Sequence, residues 1–177
     1  MTVTIRPARP GDEHDILRLI RALADYEREP DAVEATAEGL RSHLFGGEPQ
    51  VFAHVAEGDD TDEGPGGVVG IAVWFVNFST WTGRHGIYLE DLYVRQQYRG
   101  RGYGEQLLRR LAGIALERDC GRLEWSVLDW NHRAIEFYKS LGAAPMNEWT
   151  TYRVTGPALE RRGASAANDS ANDSERE

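Results

Sequence analysis

Apolar residues along the first quarter of the chain recur every three to four positions, the spacing of an amphipathic helix. The first such stripe comprises Ile16, Leu17, Leu19, Ile20, Leu23 and Ala24 and follows Asp12, which we expect at the helix N-cap. The helix should end at or before Pro30, because the residue before a proline disfavours helical backbone. A second short helix is predicted after Thr36, ending near Phe45 and its two following glycines.

Continuous apolar or alternating runs then predict strands. These are Val3–Ile5, Val51–Ala56, Val68–Val76, Ile87–Val94, Leu123–Leu128 and Thr151–Val154, with helices from about Glu105 and over Asn131–Leu141. Antiparallel strands come first and strand-helix-strand units follow. This order predicts an α/β (α+β mixed) single domain with a central, mostly antiparallel mixed sheet flanked by helices on both faces.

The domain is expected to span residues 1–160. Residues 161–177 are rich in Ala, Ser, Asn and acidic side chains and have almost nothing to bury, which predicts a disordered acidic tail. Residues 57–67 form an acidic, glycine-rich stretch between two strands and are expected to be a mobile hairpin loop.

The net charge of the chain limits the kinds of molecule that it is expected to bind. The 177 residues carry a net charge of -9, which argues against a nucleic-acid or anionic-membrane binder and suits a cationic small-molecule partner. No apolar run approaches the roughly 20 residues of a membrane span, and the N-terminus lacks a signal-peptide core. We therefore expect a cytoplasmic protein. Arginines between 95 and 110 near Tyr98 and Tyr103 are interpreted as phosphate ligands rather than an RNA surface.

Metal and disulfide chemistry is not expected. Cys120 is the single cysteine, so neither an intrachain disulfide nor a cysteine metal cluster can form. The five histidines, His14, His43, His54, His85 and His132, show no metal-ligand spacing.

The segment Tyr98–Gly104 joins a predicted strand to a predicted helix and contains three glycines. Glycine permits positive φ and close approach to a ligand, and a helix N-terminus presents unpaired N–H groups, so an anion such as pyrophosphate fits there. The same turn also suits an ordinary tight connection. It lacks the Lys-Ser or Lys-Thr of a P-loop, and it comes too late in the chain for a dinucleotide-binding unit.

Four stretches together resemble, in order, spacing and identity, the GNAT superfamily of acetyl-CoA-dependent N-acetyltransferases. They are Tyr88–Val94, Tyr98–Gly104, Leu128–Asn131 and Ala134–Ala143, with Arg99-x-x-Gly102-x-Gly104 matching the pyrophosphate loop. Ile16–Ile20, Ala24–Glu27 and Tyr88–Asp91 are similar to its diamine acetyltransferase branch, which contains the spermidine/spermine and thialysine enzymes. The likeness extends from Ile5 to Trp149.

This resemblance implies acetyl-CoA as co-substrate. Pantetheine would pair with the backbone of the central strand, and the glycine loop with Arg101 would hold the pyrophosphate. The implied cofactor-binding residues are Leu92, Tyr93, Val94, Arg99, Gly100, Arg101, Gly102, Tyr103, Gly104, Glu105, Asn131, Arg133, Ala134 and Tyr138. Asn131 also suits a helix N-cap, and both roles can hold together.

Two side chains are candidates for proton transfer. An alkyl amine is mostly protonated at neutral pH, and by resemblance Glu90 would accept its proton, directly or through water. Glu90 would otherwise only attract the cationic substrate. Asp91 would point to the opposite face if the strand is regular, and is interpreted as structural. Tyr138 matches the family's general acid for the CoA thiolate, with packing beside Phe137 as the alternative.

The amine site is expected to be acidic and aromatic. Its implied residues are Tyr26, Glu27, Trp81, Glu90, Trp125, Glu148 and Trp149. Ser79 and Thr80 stand where the spermidine/spermine enzyme has an acidic residue before the tryptophan, which favours a small amine, a diamine or a lysine-like amino acid over long polyamines.

Other readings of the chain stay open. They are a non-catalytic acyl-CoA-binding sensor or assembly module, and a GNAT enzyme that acetylates a protein lysine or an antibiotic amine. We also expect a homodimer, with the late strand Tyr152–Val154 joining the partner.

Overall fold

The computed structural model describes residues 4–58 and 66–164. In chain order the elements are β1 Thr4–Pro7, α1 Glu13–Tyr26, α2 Ala37–Phe45, β2 Val51–Gly58, β3 Gly67–Ser79, β4 Arg84–Val94, α3 Tyr103–Glu117, β5 Leu123–Trp125 and α4 His132–Ser140. Residues 156–164 form a further helix, α5. Two compact units are present, Met1–Leu128 and Asp129–Glu177.

The first unit contains one sheet in the order β1-β2-β3-β4-β5. The first four strands are antiparallel, and β5 runs parallel to β4. A parallel neighbour needs a crossover connection, which α3 supplies. The predicted mostly antiparallel mixed sheet is therefore confirmed.

Helices cover both faces of this sheet. On one face, Ile16 and Leu19 of α1 and Leu44 of α2 pack with strand residues that include Val55 and Ile71. On the other face, the Arg118 guanidinium at the end of α3 lies 5.2 Å from the Trp74 ring centroid. The predicted arrangement of helices on both faces is confirmed.

His54 belongs to the face covered by α3. Its Nδ1 accepts a hydrogen bond from the Trp74 indole N–H, at 3.2 Å. Burial, together with the positive charges of Arg110 and Arg118, lowers the pKa of His54 to about 4. This histidine is consequently neutral at physiological pH and belongs to the core.

The helix starts differ in how they are capped. Thr36 caps α2, because its hydroxyl accepts a hydrogen bond from the Gly39 N–H. Asp12 stands at the N-cap of α1 but makes no capping bond. Its carboxylate instead accepts hydrogen bonds from the Arg6 guanidinium, at 2.6 and 2.9 Å. Asp12 thus ties the start of α1 to β1.

The C-terminal strand prediction is wrong. Residues 151–155 have no regular structure, and Tyr152 is 91% exposed. An alternating pattern describes a half-buried strand only when a neighbouring strand supplies hydrogen bonds, and the sheet ends at β5. Residues 161–164, expected to begin the disordered tail, are helical. Residues 165–177 and residues 59–65 of the expected mobile loop lie outside the described residues.

Strand lengths also differ from prediction. The hairpin of β3 and β4 extends beyond both expected ends, to Ser79 and Arg84, whereas β5 stops at Trp125. None of the helices within residues 4–58 and 66–164 combines the length and apolar character that crossing a bilayer requires.

Candidate active site

Strand β4 is interrupted at Glu90. Asp91 pairs with Val73 of β3, but the next pair joins Leu89 to Trp74, so Glu90 is an extra residue in β4. This is a β-bulge, which locally bends a strand and redirects its side chains. The condition of a regular strand, on which the expected orientation of Asp91 depended, is therefore not met.

The pairing of β4 with β5 ends at the same place. Its register runs from Ile87 with Leu123 to Leu89 with Trp125, and it goes no further in the described part of the chain. From Glu90 to Val94, β4 therefore keeps β3 on one side and presents an open edge on the other. An open edge is a template for an extended ligand with amide groups.

The glycine loop follows this open edge directly. Gly100 and Gly102 have φ values of 77° and 84°, a left-handed backbone that other residues adopt only with strain. Gly102 is the N-cap of α3, so the N–H groups of the first helical turn have no intrahelical partner. A Cβ built on Gly100 would meet no atom within 4 Å, so the outer surface of the loop is open.

Two buried tyrosines hold the loop in place. Tyr98 and Tyr103, each 4% exposed, meet edge to face with ring centroids 6.5 Å apart. The guanidinium groups of Arg95 and Arg101 lie 5.4 and 5.3 Å from the Tyr98 centroid. Positive charge is thereby concentrated beside the start of α3, where the helix dipole also favours an anion.

Arg99 connects the loop to the end of α1. Its Nε donates a hydrogen bond to the Val94 carbonyl, at 2.9 Å. Its guanidinium lies 4.7 Å from the Tyr26 centroid and 5.4 Å from that of Tyr93. The structure thus brings Tyr26, a predicted amine-site residue, next to Tyr93 and Arg99, which were predicted to bind the cofactor.

Three carboxylates meet near the bulge. Burial, together with the negative charges of Glu90 and Glu27, raises the pKa of Asp91 to about 6. Burial also raises the pKa of Glu27, whereas Glu90 is exposed. A cation placed here would relieve the repulsion among the carboxylates. Sequence reasoning missed the part played by Asp91; the available signal was a pair of adjacent acids in an otherwise apolar strand.

Two predicted amine-site tryptophans lie elsewhere in the first unit. Trp125 pairs with Leu89, so it stands on the same face as Leu89 and Trp74, opposite to Asp91. Trp81 lies in the turn between β3 and β4, at the far end of β4 from Val94, and is 86% exposed. The described structure does not bring these two side chains to the carboxylates.

The second unit holds the remaining predicted residues. Asn131 is the N-cap of α4, as predicted, and its side-chain oxygen accepts a hydrogen bond from the Ala134 N–H at 3.3 Å. Arg133 and Ala134 lie in the first turn of this helix. Tyr138 is half-buried on the same helix, with its ring centroid 5.4 Å from that of Phe137. Glu148 and Trp149 are exposed in irregular backbone.

The chain is similar to known proteins over most of its length. The model of the acetyltransferase (GNAT) family matches residues 16–143. A thialysine N-epsilon-acetyltransferase from Bos taurus is 44% identical over 162 residues, covering 89% of this chain and 95% of the bovine protein. An L-ornithine N5-acetyltransferase from Arabidopsis thaliana is 33% identical and covers 88% of this chain and 86% of its own length.

A solved structure agrees with these sequence matches. An integron cassette protein from the mobile metagenome of V. cholerae superposes with a TM-score of 0.68 at 30% identity, covering 92% of this chain and 98% of that chain. The family model spans the open edge of β4, the glycine loop and α4. The chain therefore belongs to the acetyltransferase (GNAT) family and is an acetyl-CoA-dependent N-acetyltransferase.

Proposed function

We propose that this enzyme transfers the acetyl group of acetyl-CoA to a primary amine of a small cationic molecule: a diamine, a polyamine or a lysine-like amino acid. The observation that carries the proposal is the position of Glu90, where β4 bulges and separates from β5. At this point the Glu90 carboxylate stands at the start of the open edge of β4, and that edge leads to the glycine loop.

The residues present fit acetyl-CoA. The open edge of Leu92, Tyr93 and Val94 suits the amide groups of pantetheine, which can hydrogen-bond as an added strand does. The N–H groups of Tyr103, Gly104 and Glu105 at the start of α3 suit a pyrophosphate. Gly100 and Gly102 leave the approach clear, and Arg101 adds positive charge. Bound acetyl-CoA supplies an acetyl thioester at the bulge.

The carboxylates perform two tasks in this proposal. Glu27 and Asp91 attract the protonated amine, because a cation offsets the repulsion that raises the pKa of Asp91. Glu90, which is exposed, accepts the proton that the ammonium must lose before its nitrogen can attack, directly or through one water. The neutral amine then forms the C–N bond as the C–S bond breaks, in one ternary complex.

Tyr138 is the proposed proton donor to the departing thiolate. A phenol has a pKa near 10, so it keeps its proton at neutral pH and can give it to a thiolate sulfur of similar basicity. The cap of Asn131 on Ala134 fixes the start of the helix that carries Tyr138. Direct transfer needs no acyl-enzyme, and Cys120 therefore has no catalytic task.

The negative charge of the chain and the names of its relatives both support a small basic substrate. The chain carries a net charge of -9, and three of its carboxylates meet at the bulge. Relatives similar over most of the chain are named for acetylating thialysine and L-ornithine, both small amino acids with a side-chain amine.

The test is CoA release from acetyl-CoA with thialysine, lysine, ornithine, putrescine, spermidine, spermine and a lysine-bearing peptide. We expect turnover with one of the small amines, and Tyr138→Phe should lower kcat while the Kd of acetyl-CoA stays nearly unchanged. Tight binding of acetyl-CoA without CoA release for any amine would contradict the proposal and favour an acyl-CoA-binding module. Unchanged kcat in Tyr138→Phe would remove the tyrosine as acid.

We also propose that the enzyme is a cytoplasmic homodimer. Its second unit exposes a series of large apolar side chains, which suits contact with a second copy. They are Met146, Trp149, Tyr152, Val154 and Leu159. Light scattering after size-exclusion chromatography should give twice the 19.8 kDa chain mass. A monomeric mass at micromolar concentration would contradict the dimer.

A further inference from the structure

A mixed polar cluster lies across β3, β4 and β5, away from the bulge. Asn77 donates a hydrogen bond through Nδ2 to Oε2 of Glu124, at 2.9 Å. The same carboxylate oxygen lies 2.7 Å from Nε of Arg122. The side chains of Arg122 and Glu124 are 38% and 37% exposed, so a ligand in solvent can reach both.

This cluster shares a face of the sheet with Asp91. On β3, Val73, Phe75 and Asn77 point to one side, since side chains alternate. Their partners on β4 are Asp91, Tyr88 and Gly86 in that order, and Tyr88 in turn pairs with Glu124. Two residues of a strand advance about 7 Å. Glu124 therefore stands one such step along the sheet from Asp91 and one strand spacing of about 4.8 Å across, a separation that an extended lysine side chain and the two carboxylate side chains can span together.

An aromatic surface lies between Asp91 and Glu124 on this face of the sheet. The rings of Phe75 and Tyr88 are 5.2 Å apart, and both residues are half-buried. The Tyr88 hydroxyl is hydrogen-bonded to the Ser126 hydroxyl, at 2.8 Å, which fixes the tyrosine ring. Methylene groups or a thioether can pack on such a surface.

Gly86 leaves the space that the Arg122 side chain occupies. A Cβ built on Gly86 would lie 2.8 Å from Cγ and 3.1 Å from Nε of Arg122, and 2.5 Å from Oδ1 of Asn77. The arginine stem thus runs closely over the glycine. Nε of Arg122 is buried beside Glu124, so the terminal amino groups are the part of the guanidinium that can take a second carboxylate.

We infer that Arg122 and Glu124 bind the α-carboxylate and α-ammonium of a lysine-like amino acid whose side-chain amine reaches the carboxylates at the bulge. This assignment rests on the proposed function and specifies its substrate. A zwitterionic group matches the adjacent cation and anion. A diamine or polyamine would instead place a second ammonium beside the Arg122 guanidinium, where like charges repel.

The test compares L-lysine with 1,5-diaminopentane, which is lysine without its carboxylate. Wild-type enzyme should show a kcat/KM for lysine at least about tenfold higher than for the diamine. Arg122→Gln should lower kcat/KM for lysine about 10- to 100-fold, mainly through KM, because a charge-assisted hydrogen bond is lost. Its kcat/KM for 1,5-diaminopentane should rise, because the positive charge that repels the second ammonium is removed.

Two further variants and one binding measurement serve as controls for the substrate comparison. Arg122→Lys keeps the charge but not the planar fork, and should fall between wild type and Arg122→Gln for lysine. Arg18→Gln, at the partly exposed ion pair with Asp15 on α1, should keep the lysine preference. An unchanged Kd for acetyl-CoA in all variants would show that the fold is intact.

The assignment is overturned if wild type prefers the diamine, or if Arg122→Gln changes both substrates equally or not at all. Those results leave the proposed acetyltransferase function standing. Absence of CoA release with either amine in wild type would overturn the proposed function, and the assignment with it.

Discussion

The two halves of β4 have the same kind of sequence but different neighbours. From Arg84 to Leu89 the strand lies within the sheet, and its last residues pair with β3 and β5 at once. From Glu90 to Val94 it pairs with β3 alone. Ile87 and Leu89 in the first half are 0% and 1% exposed, whereas the second half begins with an exposed glutamate. The first half has a strand on both sides by its end, and the second keeps one open edge, where we propose that acetyl-CoA binds.

This difference shows how one strand serves both stability and chemistry. At Glu90 the pairing with β5 has already ended, whereas the pairing with β3 shifts by one residue and then continues to Val94. The binding edge is therefore held by a buried strand on one side and by the Tyr98 and Tyr103 contact at its end. Substitutions in the two halves should have separable effects on catalysis, binding and stability.

Glu90→Gln should give the largest effect. It removes the proposed proton acceptor at the boundary of the two halves, and kcat should fall about 10²- to 10⁴-fold while Tm and the Kd of acetyl-CoA change little. Steady-state kinetics with the best amine of the panel measures this. Glu117→Gln, on the exposed end of α3 beside Arg110, is the matched control. A raised amine KM with kcat unchanged would show that Glu90 only attracts substrate.

Ile87→Ala should affect stability without affecting the site. The side chain is fully buried in the paired half, and truncation of such a residue costs about 2–5 kcal/mol. Thermal unfolding should show a clear loss in Tm. Below that temperature the Kd of acetyl-CoA should equal that of wild type, and a marked weakening would contradict the separation of the two halves.

Asp91→Asn should stabilise the free enzyme at neutral pH. Because the pKa of Asp91 is raised to about 6 in the folded state, its ionisation disfavours folding, and this cost is present above pH 6 and disappears as the pH falls below about 4. The variant should gain at most about 3 kcal/mol at pH 7.5. Tm measured from pH 4 to 8 should show the gain growing with pH.

The same substitution should weaken amine binding, because one of three attracting carboxylates is lost. Asp15→Asn, at an exposed ion pair on α1, should show no gain in Tm at any pH. A Tm gain for Asp91→Asn that is equal at pH 4 and pH 8 would mean that ionisation of this carboxyl is not the cause.

Gly102→Ala should have a smaller effect, located in the loop. An alanine at φ 84° costs about 1–2 kcal/mol, so the loop should relax and the Kd of acetyl-CoA should rise about tenfold. Gly113→Ala lies on the same helix without positive φ and should stabilise it by up to about 1 kcal/mol. Calorimetric titration with acetyl-CoA compares the two. Equal Kd values would show that the backbone of Gly102 does not shape the site.

The sequence was sufficient for features that depend on local spacing. The apolar stripe of α1, the start of α2 after Thr36, the Asn131 cap and the glycine loop all follow from residues within a few positions of one another. The family signature then placed the loop after the correct strand. These features needed no knowledge of strand register.

Features that depend on distant partners were not predictable. The segment Tyr88–Asp91 reads as continuous strand, and only pairing with Val73 and Trp74 shows that Glu90 is inserted. Contact of Arg99 with Tyr26 joins residues far apart in the chain. The pattern at Thr151–Val154 resembles a strand, but the sheet offers it no neighbour. Strand formation is decided by partners that a periodicity cannot reveal.

Amide hydrogen exchange of the wild-type enzyme, with and without acetyl-CoA, distinguishes the two halves of β4 without any substitution. We expect acetyl-CoA to slow exchange in residues 90–94 of β4 and in residues 99–105 of the loop and α3, and to leave residues 84–89 unchanged. Equal protection of both halves of β4, or protection confined to other elements, would contradict the assignment of the open edge as the acetyl-CoA site.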